Sequence, residues 1–383
     1  AKVDGIIEAS QGGAGGTVEI SASEKVDLGG SVNVAGESGI GGDVVIEGAE
    51  INLSSSSDVD VSGFTGGGSA KIGGGFQGKD ADVENSDSVI IGNGAKISAD
   101  AINSGDAGRV IVWSDGSTVF EGEISAQAKG QQGAGGFIEV SGKQVLMFDG
   151  LAIAAAQSGN SGTVLLDPGT VHIGNTAPGG GASLITIASI NAALDNNTNF
   201  TISTDSGDII FDSVGSADSR DVSVQWNTDA SLGIFASGDV IFNNHARSAG
   251  AGSVNVIAGW DGEEMDPLIL NNNPEAAWNA YVAAGQFGID DGLVGTGAGN
   301  VILDATARSV EVGSRYGNTN IAGVDVDVLA GVGAMRHAQI GFRDNGQVFY
   351  YNSTAFTTSA TAGDPLVGLV GVNETTSGSD VGV

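Results

Sequence analysis

The chain has 383 residues, of which 65 are glycine and none is cysteine, and 46 Asp and Glu against 14 Lys and Arg give a formal net charge of −32. The missing cysteine excludes disulfide frameworks and cysteine-ligated metal sites. The negative charge disfavours duplex nucleic acid as a partner, because that binding needs clustered cations against the phosphates. No apolar run of the sequence approaches the roughly 20 residues of a membrane span.

The high glycine content does not by itself indicate disorder or collagen. The glycines follow no Gly-X-Y period, and 40% of the residues are hydrophobic. Val and Ile recur in short alternating patches, the pattern that a pleated and half-buried surface favours. The sequence therefore predicts an ordered, all-β chain.

A repeat with a period near 26 residues determines the predicted architecture. Residues 12–48 show its unit, in which a glycine pair is followed by an alternating Val/Ile run, a polar turn and a second short run. A glycine precedes the first strand of successive units at Gly16, Gly42, Gly68, Gly108, Gly136 and Gly162. The 40-residue gap between Gly68 and Gly108 predicts one enlarged coil.

The first full unit predicts strands at Thr17–Ser21, Ser31–Ala35 and Asp43–Glu47, with no helix between them. Three short strands in about 25 residues are typical of one coil of a parallel β-helix, and about fifteen coils would give a rod roughly 70 Å long. A β-sandwich fits less well, because matched hairpin signals are missing. A propeller would require blades of 40–50 residues with aromatic signatures.

The second half of the chain differs in its turns. We expect Gly-rich coils over residues 1–168 and a continuing β-helix with longer turns over 169–383, with a change of coil type near Leu166–Gly169. Ser183–Leu194 is expected to hold at most one short helical turn. Residues 261–292 interrupt the rhythm as an excursion that includes a predicted helix at Pro274–Ala284, and a Ser/Thr/Gly-rich tail ends the chain.

One candidate recognition surface lies in and beside this excursion. Aromatic residues are only 5% of the chain, so their clustering there predicts a contact patch made of Trp260, Met265, Trp278 and Tyr281. The alternative is that Trp278 and Tyr281 only dock their own helix onto the rod. The receptor or glycan that such a patch would bind is unknown.

Catalytic and cofactor signatures are weak. Polygalacturonase-type hydrolases combine Asn-Thr-Asp with a later Asp-Asp, Gly-His-Gly and Arg-x-Lys; here only Asn227–Asp229 and Asp290–Asp291 occur. The three histidines have no metal-binding spacing. The Gly-rich run at 73–85 resembles a calcium loop but does not repeat. We therefore expect a non-catalytic protein with no cofactor, in which stacked Asp turns bind Ca²⁺ only adventitiously.

Three stretches of the sequence carry recognisable motifs. The first contains the Trp-Ser-Asp-Gly turn Trp113–Gly116, the strand Gly135–Lys143 and the Leu-Leu-Asp-Pro at Leu165–Pro168; the second is the run Ala188–Phe211 with Ala236–Asn244; the third is His337–Gly346. Together they resemble the filamentous-haemagglutinin-type exoproteins of the two-partner secretion pathway. In the third stretch, His337 and Phe342–Arg343 depart from the family pattern of Tyr and His-Gly.

This resemblance implies a right-handed parallel β-helix that a partner barrel exports across the outer membrane of a Gram-negative-type bacterium. The family's secretion domain with its Asn-Pro-Asn-Gly motif is missing here, so we expect an internal fragment. The leading hypothesis is an extracellular or surface-exposed adhesin shaft. The second is the subunit of an extracellular filament that polymerises end to end, and the third is a β-helical polysaccharide lyase or hydrolase.

Overall fold

The computed structural model describes residues 1–10, 12–176, 178–213, 222–260, 299–317, 319–323, 325–329, 338–341 and 356–359. These residues form the predicted parallel β-helix, in which successive strands belong to three different faces. Strands are numbered below in chain order. The strand predictions at Thr17–Ser21 and Asp43–Glu47 are confirmed, and the one beginning at Ser31 ends at Asn33.

Face A is a thirteen-stranded sheet, parallel except at its last pair. Its strands, in spatial order, are β1 (Lys2–Val3), β4 (Lys25–Leu28), β7 (Glu50–Leu53), β10 (Ser88–Ile91), β13 (Ser117–Phe120), β16 (Val145–Phe148), β20 (Ser183–Thr186), β19 (Val171–Gly174), β22 (Ile209–Phe211), β25 (Val240–Phe242), β28 (Val301–Asp304), β31 (Asp325–Leu329) and the antiparallel β33 (Phe356–Ser359).

Face B consists of two sheets of six and four strands. The first contains β2 (Ile6–Glu8), β5 (Ser31–Asn33), β8 (Asp58–Asp60), β11 (Lys96–Ser98), β14 (Glu123–Ser125) and β17 (Leu151–Ile153). The second contains β23 (Val224–Trp226), β26 (Ala246–Ser248), β29 (Val310–Ser314) and β32 (Ala338–Ile340).

Face C is a parallel sheet of ten strands. They are β3 (Thr17–Ser21), β6 (Asp43–Glu47), β9 (Ser69–Ile72), β12 (Arg109–Ser114), β15 (Phe137–Gly142), β18 (Thr163–Leu166), β21 (Asn199–Thr204), β24 (Leu232–Ala236), β27 (Val254–Ala258) and β30 (Thr319–Ala322). The described strands of face C thus give ten layers, about 45 Å from first to last at the ordinary strand spacing, instead of about fifteen.

The core is built from like residues stacked one coil above another. Every second residue of a strand points inward, and the parallel register places it on the equivalent residue of the next coil. The ring centroids of Phe120 and Phe148 lie 4.9 Å apart in this way, and those of Phe211 and Phe242 lie 4.5 Å apart. Burying each such side chain stabilises the fold by about 1.5–3 kcal/mol.

Glycine is required where the chain turns onto face C. The six glycines predicted to precede strands do precede β3, β6, β9, β12, β15 and β18. A Cβ added to Gly108 would lie 2.0 Å from the carbonyl oxygen of Gly68, the equivalent glycine one coil below. The 26-residue period therefore reflects a column of turns packed so closely that only hydrogen fits between them.

A helix divides face B into its two sheets. Ser183–Leu194 was expected to hold at most one short turn, but the structure has β20 followed by helix α1 (Ile187–Asp195). The helix packs against β17 on one side and β23 on the other, so it occupies a strand's place in the stack. The side chain of Thr186 caps it by accepting a hydrogen bond from the amide of Ser189. Among the described residues, no helix is long and apolar enough to cross a membrane.

Stacking continues across the predicted change of coil type at 168/169. β18 ends at Leu166 and pairs directly with β21 on face C. On face A, β20 inserts between β16 and β19, so two strands that follow one another in the chain are reversed in space. The predicted excursion at 261–292 and the Ser/Thr/Gly-rich tail beyond Ser359 lie outside the described residues.

Candidate functional site

The enlarged coil forms a loop over the outside of face C. Residues 73–87, here called the clasp, connect β9 to β10 and contain a single 3-10 turn at Phe76–Gly78. The ring of Phe76 meets that of Phe137 edge-on, with centroids 5.8 Å apart. Outward side chains that would face solvent in a regular coil are therefore covered here.

The clasp can approach the sheet because of its backbone conformation. Gly78 has a φ of +64°, and a Cβ there would lie 2.4 Å from Nε1 of Trp113. Gln77 also has a positive φ of 52°, which is uncommon for a residue with a side chain. This conformation directs the amide of Gln77 toward the sheet, where it meets a carboxylate.

That carboxylate belongs to Glu139, which projects outward from β15. The backbone amide of Gln77 donates to both of its oxygens at 3.2 Å, and Oγ of Ser141 donates to Oε1 at 3.3 Å. The residue has no exposed surface. Burial raises the pKa of Glu139 to about 8, and nearby Asp167 adds to the increase, against opposing effects of the Gln77 amide and Arg109.

A second carboxylate, Asp167, lies one coil further along, directly after β18. Its Oδ2 accepts a hydrogen bond of 3.2 Å from Nε2 of Gln77, and its amide donates to Oγ of Ser141 at 3.1 Å. Burial, and then the negative charge of Asp205, raise the pKa of Asp167 to about 7. Lys79 acts in the opposite direction, and its Nζ donates to Oε1 of Gln77. Gln77 thus contacts both coils, Glu139 through its backbone amide and Asp167 through its side chain.

The guanidinium group of Arg109 supplies positive charge beside these acids. It contacts two aromatic rings, 5.0 Å from the centroid of Phe76 and 4.8 Å from that of Phe137. Burial lowers the pKa of Arg109, and the charge of Glu139 opposes that effect. The cation is therefore held by two neighbouring rings as well as by a nearby carboxylate.

The arrangement is suited to fastening the loop rather than to chemistry on a substrate. Glu139, Asp167 and Asp205 follow one another on three successive coils, the kind of carboxylate cluster that a glycan-cleaving β-helix would require. Glu139, however, is fully buried, so a polysaccharide has no access to it. Within the described part of the chain, no three His, Cys, Asp or Glu residues are grouped so that they could hold a metal ion.

The candidate contact patch is described only at one residue. Trp260 follows β27 and is 6% exposed, with its ring 5.5 Å from that of Phe235. Met265, Trp278 and Tyr281 lie outside the described residues, so the patch stays a prediction. Trp260 itself contributes to a small apolar cluster on the outside of face C.

Of the three histidines, two are described. Nδ1 of His172 lies 2.8 Å from Oδ1 of Asp212 on the outside of face A. His245 is buried, and its Nδ1 accepts a hydrogen bond of 2.9 Å from the amide of Glu311. These two histidines lie on different faces and share no site.

Sequence reasoning did not identify Arg109, Glu139 and Asp167 as interacting residues. Two signals pointed toward this contact: the 40-residue gap predicted an enlarged coil, and Glu139 and Asp167 lie in segments whose sequence resembles the exoproteins. The clasp contacts all three of these segments: the turn that begins at Trp113, the strand that carries Glu139, and the Leu-Leu-Asp-Pro that contains Asp167. In this chain, the segments with the clearest resemblance hold the enlarged coil in place.

No protein-family model matches the chain, and no curated protein is significantly similar to it.

Proposed function

We propose that this chain is a non-catalytic, β-helical segment of an exoprotein that acts as an adhesin shaft at the surface of a Gram-negative-type bacterium. The observation that supports this proposal is the stacking of the strands of faces A and C around one apolar core, which includes residues from Val18 to Ile340. A stack of this kind separates its two ends by a fixed distance, which is the mechanical task of a shaft.

Two further observations support a structural role. The ionisable groups with the largest pKa shifts are in the clasp contact, where they hold an enlarged coil against face C. The segments that resemble filamentous-haemagglutinin-type exoproteins include Glu139 and Asp167 of this contact. The proposal places the full-length protein in the extracellular space, with an outer-membrane transporter as its export partner and a receptor or glycan on another cell as its target.

The proposal is tested with beads that carry the purified chain at one end through a terminal tag. We expect such beads to attach to cultured epithelial cells or to bacteria more often than beads carrying an unrelated acidic protein of equal charge. In parallel, the chain is incubated with pectin, alginate and hyaluronate. Equal attachment of both bead types would contradict the adhesin proposal, and release of reducing or unsaturated sugar ends would contradict the non-catalytic one.

A filament subunit is the second candidate. The described strands of faces A and C stack coil on coil through their edges, and the same edge pairing can template strands of another copy. Electron microscopy over a range of concentration distinguishes the two candidates: single short rods support a shaft, and fibres of uniform width support a filament.

A further inference from the structure

One outward-facing position of face A is apolar on seven of eight neighbouring strands, and the exception is His172. The parallel register aligns these residues into a single column, here called the face A ridge. In spatial order the ridge consists of Ile90, Val119, Met147, Leu184, His172, Ile210, Ile241 and Ile302. At a strand spacing of about 4.8 Å it is roughly 34 Å long.

The fold does not require this column to be apolar. The same position is Lys2, Asp27 and Asn52 on the first three strands of face A and Asp327 on β31. Polar residues also occupy outward positions of face B, where one column consists of Ser31, Asp58, Lys96 and Glu123, followed by Leu151. Polar residues are therefore compatible with the outward positions of a coil, and the apolar ridge is a local exception to this polar pattern.

The ridge presents apolar surface on the outside of the sheet. Ile90 is 44% exposed, and the side chains of Val119, Met147, Ile210, Ile241 and Ile302 are partly exposed. Only Leu184 is buried, at 7%. The exposed apolar surface therefore lies in two groups, one from Ile90 to Met147 and one from Ile210 to Ile302, separated by the buried Leu184 and by His172. Exposed groups of apolar side chains on a folded protein are typical of an interaction site.

Negative charge borders the ridge on both sides. The positions two residues before and two residues after each ridge residue lie beside it on the sheet surface. Six of these sixteen positions carry Asp or Glu and none carries Lys or Arg: the acids are Glu121, Asp149, Asp208, Asp212, Asp239 and Asp304. The surface thus has an apolar centre and acidic borders.

We propose that the face A ridge binds a cationic amphipathic helix of a partner protein. About 23 residues of helix match its length at 1.5 Å per residue, and the helical pitch of 5.4 Å is close to the strand spacing. The apolar side of such a helix would cover the ridge, and its Lys and Arg residues would face the acidic borders. A second copy of the chain fits poorly, because two surfaces of net charge −32 repel each other.

The proposal is independent of the adhesin function, since it concerns the side of the rod and not its end. It is tested by fluorescence anisotropy with a labelled 22-residue peptide of Leu and Lys arranged as an amphipathic helix. We expect saturable binding that Ile210→Thr, Ile241→Thr and Ile302→Thr together weaken by about tenfold or more, because the apolar contact is lost. Threonine keeps the β-branched side chain that strands favour.

The matched control replaces three exposed or partly exposed isoleucines elsewhere, Ile6→Thr, Ile40→Thr and Ile153→Thr, and is expected to bind as the unmodified chain does. A second variant, Glu121→Gln with Asp149→Asn, changes two exposed residues only and should weaken binding and flatten its salt dependence. The proposal is overturned if the peptide does not bind, if a scrambled peptide of the same composition binds equally, or if the ridge and control variants have the same affinity.

Discussion

The backbone amide of Gln77 donates hydrogen bonds to both carboxylate oxygens of Glu139, each at 3.2 Å. These residues are separated by 62 positions in the sequence and belong to different coils. The clasp covers Glu139 and removes this carboxylate from water, and that burial raises the pKa of Glu139 to about 8 against the opposing effect of the Gln77 amide. The position of one loop is thereby coupled to the protonation of one acid.

The first prediction concerns pH. The pKa values of Glu139 and Asp167 are about 8 and about 7 in the folded chain, against ordinary values of 4.5 and 3.8. The folded state therefore binds more protons than the unfolded state between about pH 4 and 8, and the free energy of unfolding falls as pH rises through this range. The groups that face Glu139 and Asp167, namely Arg109, Lys79 and Asp205, modify these values.

Urea unfolding of the chain and of the Glu139→Gln variant at pH 6 and pH 9 measures this effect. The unmodified chain should lose more stability than the variant between the two pH values, because glutamine has no proton to release. Glu19→Gln, at an exposed position of β3, is the control and should behave as the unmodified chain. An equal pH dependence in all three proteins would show that Glu139 ionises normally.

The second prediction concerns the guanidinium group of Arg109 and the rings of Phe76 and Phe137 that contact it. Phe76→Ala removes one of the two rings that contact the guanidinium group of Arg109. We expect a loss of about 1–2 kcal/mol, because a partly buried ring and one cation–π contact are removed together. Proteolysis within residues 73–87 should become faster. Phe64→Ala, at a ring that is 41% exposed, should leave both readouts unchanged.

The third prediction concerns the glycine column. Gly108→Ala places a Cβ 2.0 Å from the carbonyl oxygen of Gly68, and neither backbone can move without disturbing a strand. We expect a destabilisation of about 3 kcal/mol or more in chemical denaturation. Gly5→Ala adds the same methyl group where no atom lies within 4 Å, and its stability should stay close to that of the unmodified chain. Similar midpoints for the two variants would refute the close packing.

The fourth prediction concerns helix α1. Ile190 is fully buried between the coils, so Ile190→Ala should destabilise the chain by about 2–4 kcal/mol through lost burial and the cavity that remains. Ala188→Ser changes an exposed position of the same helix and should cost less than 1 kcal/mol. Guanidinium titrations of both variants test whether α1 supports the stack; a near-zero effect of Ile190→Ala would indicate that it does not.

The sequence alone predicted the parallel β-helix and the positions of the turns onto face C. Both follow from local and repetitive physics: the period-2 alternation selects the inward residues, and glycine recurs at Gly16, Gly42 and Gly68 because each turn packs on the one below. The enlarged coil between Gly68 and Gly108 was also predicted from spacing. What the loop does could not be predicted in this way.

The tertiary structure decided which distant residues meet. Glu139, Asp167 and Gln77 come together only because the register of β15 and β18 places two acids on one side of face C and the clasp crosses that same side. Helix α1 takes the place of a strand because packing against β17 and β23 stabilises nine residues that are too few to form a helix alone. The column on face A arises likewise from the register between its strands, which aligns residues from distant parts of the chain. The repeat in the sequence determines the coil, whereas the register between coils determines which distant residues lie side by side on a surface.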